Sequence, residues 1–170
     1  MLFSDWGISG LSCNGLDSST PIRLAKTWLG FLRGMWLERW TAALIEQTDS
    51  TLGVAYNVKA YRGARDFELD VVALRGHRVY VLSCSTDRYP GLCKTKAFEA
   101  AFRAQQLGGG LARSAFAGFL GAADPRHQAL VQQDVAESWG STTSPHIFGL
   151  DDLRAWHQGN LASLKAWLAS

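Results

Sequence analysis

The sequence predicts an α/β fold, a central mixed sheet of four to five strands with flanking helices in the order αβββαβαβα. Three observations carry this. Apolar residues recur at helical spacing over residues 24–44. The period then changes, and three short strand-like segments follow between residues 54 and 85. Beyond them, helical patterns alternate with short apolar runs to the C-terminus. The 170 residues, 47% of them hydrophobic and 19% charged, suffice for one domain with a substantial core, and seven Trp exclude a disordered chain.

Residues 4–20 are rich in Gly, Ser, Asp and Asn, so 1–20 read as a loose lead-in and 21–170 as a single domain. Thr20-Pro21 gives a helix start, with Thr as cap and Pro at the first helical position. Leu24, Trp28, Phe31, Leu32, Met35, Trp36, Trp40 and Leu44 follow at helical spacing, with Gly30 and Gly34 dividing or bending the helix. Residues 54–61 predict a strand and Arg62-Gly63-Ala64 a turn. A second strand covers 67–74, with Glu68, Asp70 and Val72 on one face and Leu69 and Val71 on the other. Arg75-Gly76 marks a tight hairpin into a third strand, 78–85, so the three form an antiparallel meander. Residues 94–107 predict a helix with Phe98, Ala101, Phe102 and Gln105 as its periodic face, stopped by Gly108-Gly109-Gly110. Residues 111–120 are weakly strand-like. Asp124-Pro125 caps a helix over 126–138, and 145–149 form a short buried strand. A last amphipathic helix spans 150–168, opened by Asp151 and Asp152 where the helix dipole favours acids.

Composition narrows the function classes. No apolar run approaches the roughly 20 residues that cross a bilayer. Residues 1–10 hold an acid and no basic residue, unlike a signal peptide. Cys13, Cys84 and Cys93 are an odd number without metal spacing, and read as reduced thiols of a cytoplasmic protein. The formal charge is +2, but nine basic residues lie between positions 59 and 103 against five acids. That basic middle suits a polyanion such as nucleic acid, or simply a solvated surface.

Two acids sit where structure alone would not put them. Glu38 has Gly34 and Ala42 four residues away on either side, so its carboxylate has open space amid apolar bulk. Asp70 lies mid-strand in Glu68-Leu69-Asp70-Val71-Val72, where Asp is disfavoured. A buried carboxylate must be paired or hold a cation. An ion pair with Arg39 or Arg78 is the ordinary alternative. The histidines (His77, His127, His146, His157) lack ligand spacing and suit the surface. Cys84 suits a core, and the glycine run is not a phosphate loop because no lysine follows it.

A helix bearing Glu, a strand bearing Asp, a hairpin into a third strand ending in small polar residues, and then a helix resemble the PD-(D/E)xK restriction-endonuclease-like layout. More narrowly, Gly34-Met35-Trp36-Leu37-Glu38, Phe67-Glu68-Leu69-Asp70-Val71-Val72, Val81-Leu82-Ser83-Cys84-Ser85-Thr86 and Leu107-Gly108-Gly109 resemble the nuclease domain of CARF-fused type III CRISPR effector endonucleases. The resemblance covers residues 34–113. It implies a divalent-cation-dependent nuclease of antiviral defence, switched on by cyclic oligoadenylate bound to a separate CARF domain, with nuclease domains that pair as homodimers.

The departures define the questions. Ser83 and Ser85 stand where the family carries its third-strand Glu and Lys, and Glu99 where it carries a helix Lys. About twenty loose residues and one helix precede the motifs, so the activator is expected to bind a separate sensor protein. Such sites use carboxylates to hold Mg²⁺ or Mn²⁺. Asp70 and Glu38 are the expected metal ligands, with Glu99 replacing the missing acid. Lys96, or else Lys94, replaces the missing lysine, three residues from Glu99 on one helical face. With serine hydroxyls at 83 and 85 the cation is expected to be weakly held. The reading is a nuclease with an altered site. The alternatives are an inactive nuclease-fold module that binds nucleic acid or a protein partner in a defence complex, and an α/β interaction domain whose motifs are coincidental. The C-terminal Trp156, Leu164 and Trp167 fit either core or an oligomer interface.

Overall fold

The computed structural model describes residues 34–62, 65–140 and 143–170, without the side chains of residues 62 and 65. The lead-in, the helix start at Thr20-Pro21, the turn at 63–64 and Cys13 lie outside them.

Helix α1 (Trp36–Thr48) buries Leu37, Thr41, Leu44 and Ile45, a stripe at helical spacing, and ends where Asp49 turns to extended backbone. Strands β1 (Gly53–Arg62), β2 (Arg65–Arg75) and β3 (Arg78–Ser85) follow as an antiparallel meander, its second hairpin turning at Gly76 with φ +57°. Helix α2 (Pro90–Gly108) crosses over to β4 (Arg113–Gly118), and α3 (Arg126–Trp139) to β5 (His146–Phe148), so β3, β4 and β5 run parallel. Helices α4 (Leu150–His157) and α5 (Ala162–Ala169) close the chain. The sheet order is β1-β2-β3-β4-β5.

The sheet is mixed because short turns permit only antiparallel neighbours, whereas each later strand returns through a helix. Two core layers result. On one face α1, α4 and α5 pack over Val71, Ala73, Tyr80, Leu82, Ala115 and Ala117. An aromatic chain runs through this layer: Trp40 meets Trp156 at 6.2 Å between ring centroids, Trp156 meets Phe148 at 4.8 Å, Phe148 meets Trp167 at 5.9 Å and Trp167 meets Tyr80 at 5.5 Å. Trp156, Leu164 and Trp167 are therefore core residues. On the other face α2 and α3 pack over Phe116, Ile147, Val81 and Leu69.

Three expectations are corrected. The buried face of α2 is Cys93, Ala97, Ala100, Ala101 and Ala104, while Phe102 is half exposed and Gln105 exposed. A helix lying close on a sheet needs small residues at the contact, so the bulky periodicity misled. The C-terminal helix is two helices, because Gly159 takes a positive φ of 85° and Asn160 Oδ1 accepts the Ala162 N–H to start α5. Third, β2 does not alternate evenly. Val71 packs with the α1 layer, as does Ala73, yet Leu69 and Phe67 pack with the α2 layer. The strand changes face at Asp70.

Candidate functional site

The change of face at Asp70 has a visible cause. The β2–β3 ladder ends at the pair Val71 and Leu82. At the next position the Asp70 side chain takes over: Oδ2 accepts the Cys84 backbone N–H at 2.7 Å and the Ser83 hydroxyl at 2.8 Å. A carboxylate thus replaces a strand-to-strand carbonyl. On the other side of β2, the β1 register runs through every position except Asn57 opposite Asp70, and Asn57 carries a left-handed φ of 51°. Both strands kink at one level. Asn is among the few residues that tolerate this region.

Glu38 reaches the same place from α1. Cys84 Sγ lies 3.9 Å from Thr41 Oγ1, and Thr41 is one helical turn beyond Glu38. Cys84 thereby touches Asp70 through its backbone and α1 through its thiol. Gly34, just before α1, has φ +128°, and a side chain there would stand 4.0 Å from Thr86 Cγ2. The Gly in the first motif is required by that backbone conformation.

The electrostatics follow from this crowding. Burial, then the charges of Asp70 and Glu68, push the Glu38 carboxyl up to about 7, partly opposed by Lys96. Neither Glu38 nor Asp70 forms an ion pair among the described residues. Arg78 instead donates to the Ser170 carbonyl. Burial, with Asp70 next, drives the Cys84 thiol well above its ordinary range, which keeps it protonated and unsuited to nucleophilic chemistry.

Beside Asp70, between β2 and α2, opens a cleft of about 370 Å³. Asp66, Phe67, Glu68, Asp70, Ser83, Lys96, Glu99 and Arg103 line it. Lys96 and Glu99 thus share a cleft with Asp70, and Glu38 couples to it electrostatically. Glu99 is mostly exposed at the rim, 3.8 Å from Arg103 rather than beside Lys96. Lys94 is diverted to Asp134 on α3 at 3.0 Å. Arg113 folds back onto the carbonyls of Leu111 and Ala112. Among the described residues, no three His, Cys, Asp or Glu side chains converge as a metal-binding cluster.

The donor set still fits a hard cation. Asp70 Oδ1 accepts no hydrogen bond and the Glu38 carboxylate has no hydrogen-bond partner among the described residues. Mg²⁺ is commonly held by one or two carboxylates together with waters and substrate phosphates. The sequence did not single out Phe67, Arg103 or Asn57. An Asn in mid-strand was the one available signal for the kink.

A five-stranded mixed sheet between helices, with a kinked acid on β2 beside the end of β3, is a restriction-endonuclease-like fold. No family model matches the chain, and no curated protein matches it in sequence. Among solved structures it is similar to protein VC1899 from Vibrio cholerae (22% identity, TM-score 0.56), over 78% of this chain and 33% of that one. It is also similar to Can2 from Sulfobacillus thermosulfidooxidans, solved in complex with cyclic tetra-adenylate (19% identity, TM-score 0.57), over 79% of this chain and 36% of that one. The chain spans about a third of the length of either protein. At these identities the likeness concerns the fold. Among the described residues no helix is long and apolar enough to cross a membrane.

Proposed function

We propose that the chain is a metal-dependent nuclease of a CRISPR defence type with an altered active site, hydrolysing phosphodiester bonds in DNA or RNA. The observation that carries this reading is Glu38 and Asp70, brought from a helix and a strand to one end of β3, without an arginine partner among the described residues, where burial and then the Asp70 charge raise the Glu38 carboxyl to about 7. An unpaired cluster of carboxylates is costly unless a cation neutralises it.

Asp70 and Glu38 would hold Mg²⁺ or Mn²⁺, which when bound supplies Lewis-acid activation of water and charge neutralisation at the scissile phosphate. The chain's own residues do the rest. The Cys84 N–H and the Ser83 hydroxyl fix one Asp70 oxygen and leave the other free. Lys96, lining the same cleft, stabilises charge developing on the phosphate. Glu38 loses its proton as the site fills. Glu99 is the weakest member of the set, since its carboxylate faces Arg103 at the rim. A cyclic-oligoadenylate sensor as a partner rests on the motif resemblance and on the bound nucleotide of Can2, and a homodimer on the resemblance alone.

A second reading has its own support. Ser83 spends its hydroxyl on Asp70, Glu99, the expected replacement for the third-strand acid, faces Arg103 at the rim, and Lys94 is tied to Asp134. The chain would then bind nucleic acid without cutting it. The deciding experiment is cleavage of single- and double-stranded DNA and RNA with Mg²⁺ or Mn²⁺, comparing wild type with Asp70→Asn and Glu38→Gln. A nuclease loses at least about a hundredfold in rate on either change. Equal rates in all three proteins sink the nuclease reading, and strand binding without any cleavage supports the second.

A further inference from the structure

Resting on the nuclease-fold reading, we propose that Arg103 is a strand-binding residue that grips a backbone phosphate of nucleic acid in the cleft it shares with Asp70. Its guanidinium lies over the Phe67 ring, 4.2 Å from the centroid, and 5.8 Å from that of Phe102. Stacking holds the planar group in one orientation before any ligand arrives.

Its donors are largely unspent. Of five N–H groups, one on Nη1 donates to Gln106 Oε1 at 3.1 Å. Nε is shielded and has no partner among the described residues. The nearest carboxylate oxygen, on Glu99, stands 3.8 Å from Nη2, too far for a hydrogen bond. A held guanidinium with a loosely compensated charge and free terminal donors, lining an open cleft, suits a phosphate.

Position adds a second argument. Lys96 and Arg103 are seven residues apart on α2, two turns along one face, or about 10.5 Å. Both cations line the cleft that holds Asp70, so Lys96 and Arg103 offer positive charge to one strand at two points along the helix. Their separation is roughly that of three stacked nucleotides at about 3.4 Å each. Asp66, Glu68, Asp70 and Glu99 also line it, so a polyanion entering there depends strongly on both cations.

The test is binding of fluorescein-labelled single-stranded DNA and RNA, followed by anisotropy across a salt series, with calcium in place of magnesium. Arg103→Gln should weaken binding about five- to tenfold at low salt and lower the slope of log affinity against log salt by about 0.7. Arg103→Lys, which keeps the charge and loses the planar stack, should keep the slope and lose part of the affinity. Arg154→Gln, at an exposed pair with Asp151 on α4, should bind like wild type. Should Arg103→Gln fail to fold, Arg103→Lys decides alone, and wild-type affinity in it overturns the assignment. Unchanged affinity and slope in a folded Arg103→Gln overturn the assignment and leave the nuclease reading standing. Wild-type binding without cleavage in magnesium removes the nuclease activity and leaves Arg103 assigned. Absence of salt-dependent binding by the wild type overturns both.

Discussion

Glu38 sits on the first turn of a helix, where an acid is normally at ease with the dipole, yet its carboxyl is held up at about 7. Burial and two neighbouring carboxylates outweigh the dipole. The sign of the consequence follows. Below the ordinary value of 4.5 both folded and unfolded chains carry the proton. Between 4.5 and about 7 only the folded chain carries it, so stability falls as pH rises through that window and is flat above it. The bare shift would be worth several kcal/mol, but the group is half exposed and solvent screening reduces this to about 1–2 kcal/mol. Glu38→Gln should therefore be about 1–2 kcal/mol more stable than wild type at pH 8 and equal to it near pH 4.5, measured by urea unfolding. A wild type that gains stability from pH 5 to pH 8 contradicts this. Ser83 offers a second residue-scale check. Ser83→Ala removes one donor to Asp70 and should cost about 1 kcal/mol in the same measurement. Asp70 and Glu38 were legible in the sequence because each is an acid in an apolar context. Arg103 was not, because a cation seven residues after another on a helix looks like solvated surface until the ring beneath it is seen.

At the scale of elements, the kink shared by β1 and β2 aims Asp70. Asn57 carries φ 51°, a region that costs a β-branched residue about 1–2 kcal/mol. Asn57→Val, although a better strand residue by propensity, should destabilise the fold by about that amount and lower any metal-dependent cleavage more than Asn57→Gly, which should be close to neutral in thermal melting. A Val variant as stable as wild type would mean that the kink is not fixed by Asn57. The remaining elements were legible to different degrees. β3 matched its expected bounds, because Arg75-Gly76 fixes one end and the change to small polar residues the other. The inner face of α2 did not, since Phe98 and Phe102 advertise a bulky stripe while contact with the sheet selects the alanines between them. Nor did the evenness of β2, because alternation assumes that every ladder bond is made by backbone, and at Asp70 a side chain makes it. The break at Gly159 was visible as a glycine but was outweighed by apolar spacing that happens to continue across it.

For the whole molecule, the layered packing places the candidate site at the carboxyl end of β3, where antiparallel pairing gives way to parallel. Ligands in α/β sheets gather beyond such strand ends, because the helices that follow leave a crevice there. Here Gly118, at the end of β4, comes so close to Ser85 that a side chain would stand 2.5 Å from the Ser85 carbonyl oxygen, so the two strands stay joined right up to the site. A cation bound at this point would contact residues from α1 and β2 that are far apart in the unfolded chain. It would therefore bind the folded state selectively and raise stability by mass action. With a dissociation constant on the order of 1 mM, as weak ligation at a site carrying Ser83 and Ser85 suggests, about 10 mM Mn²⁺ would add about 1.4 kcal/mol. For a chain of this size that is a rise in Tm of about 3–6 °C. The rise should be larger at pH 8 than at pH 6, since at pH 6 the ion must first displace a proton from Glu38. It should vanish in Asp70→Asn at both pH values. A rise of equal size in that variant would place the ion elsewhere on the molecule, and no rise in the wild type at either pH would leave the two carboxylates without the cation on which their chemistry depends.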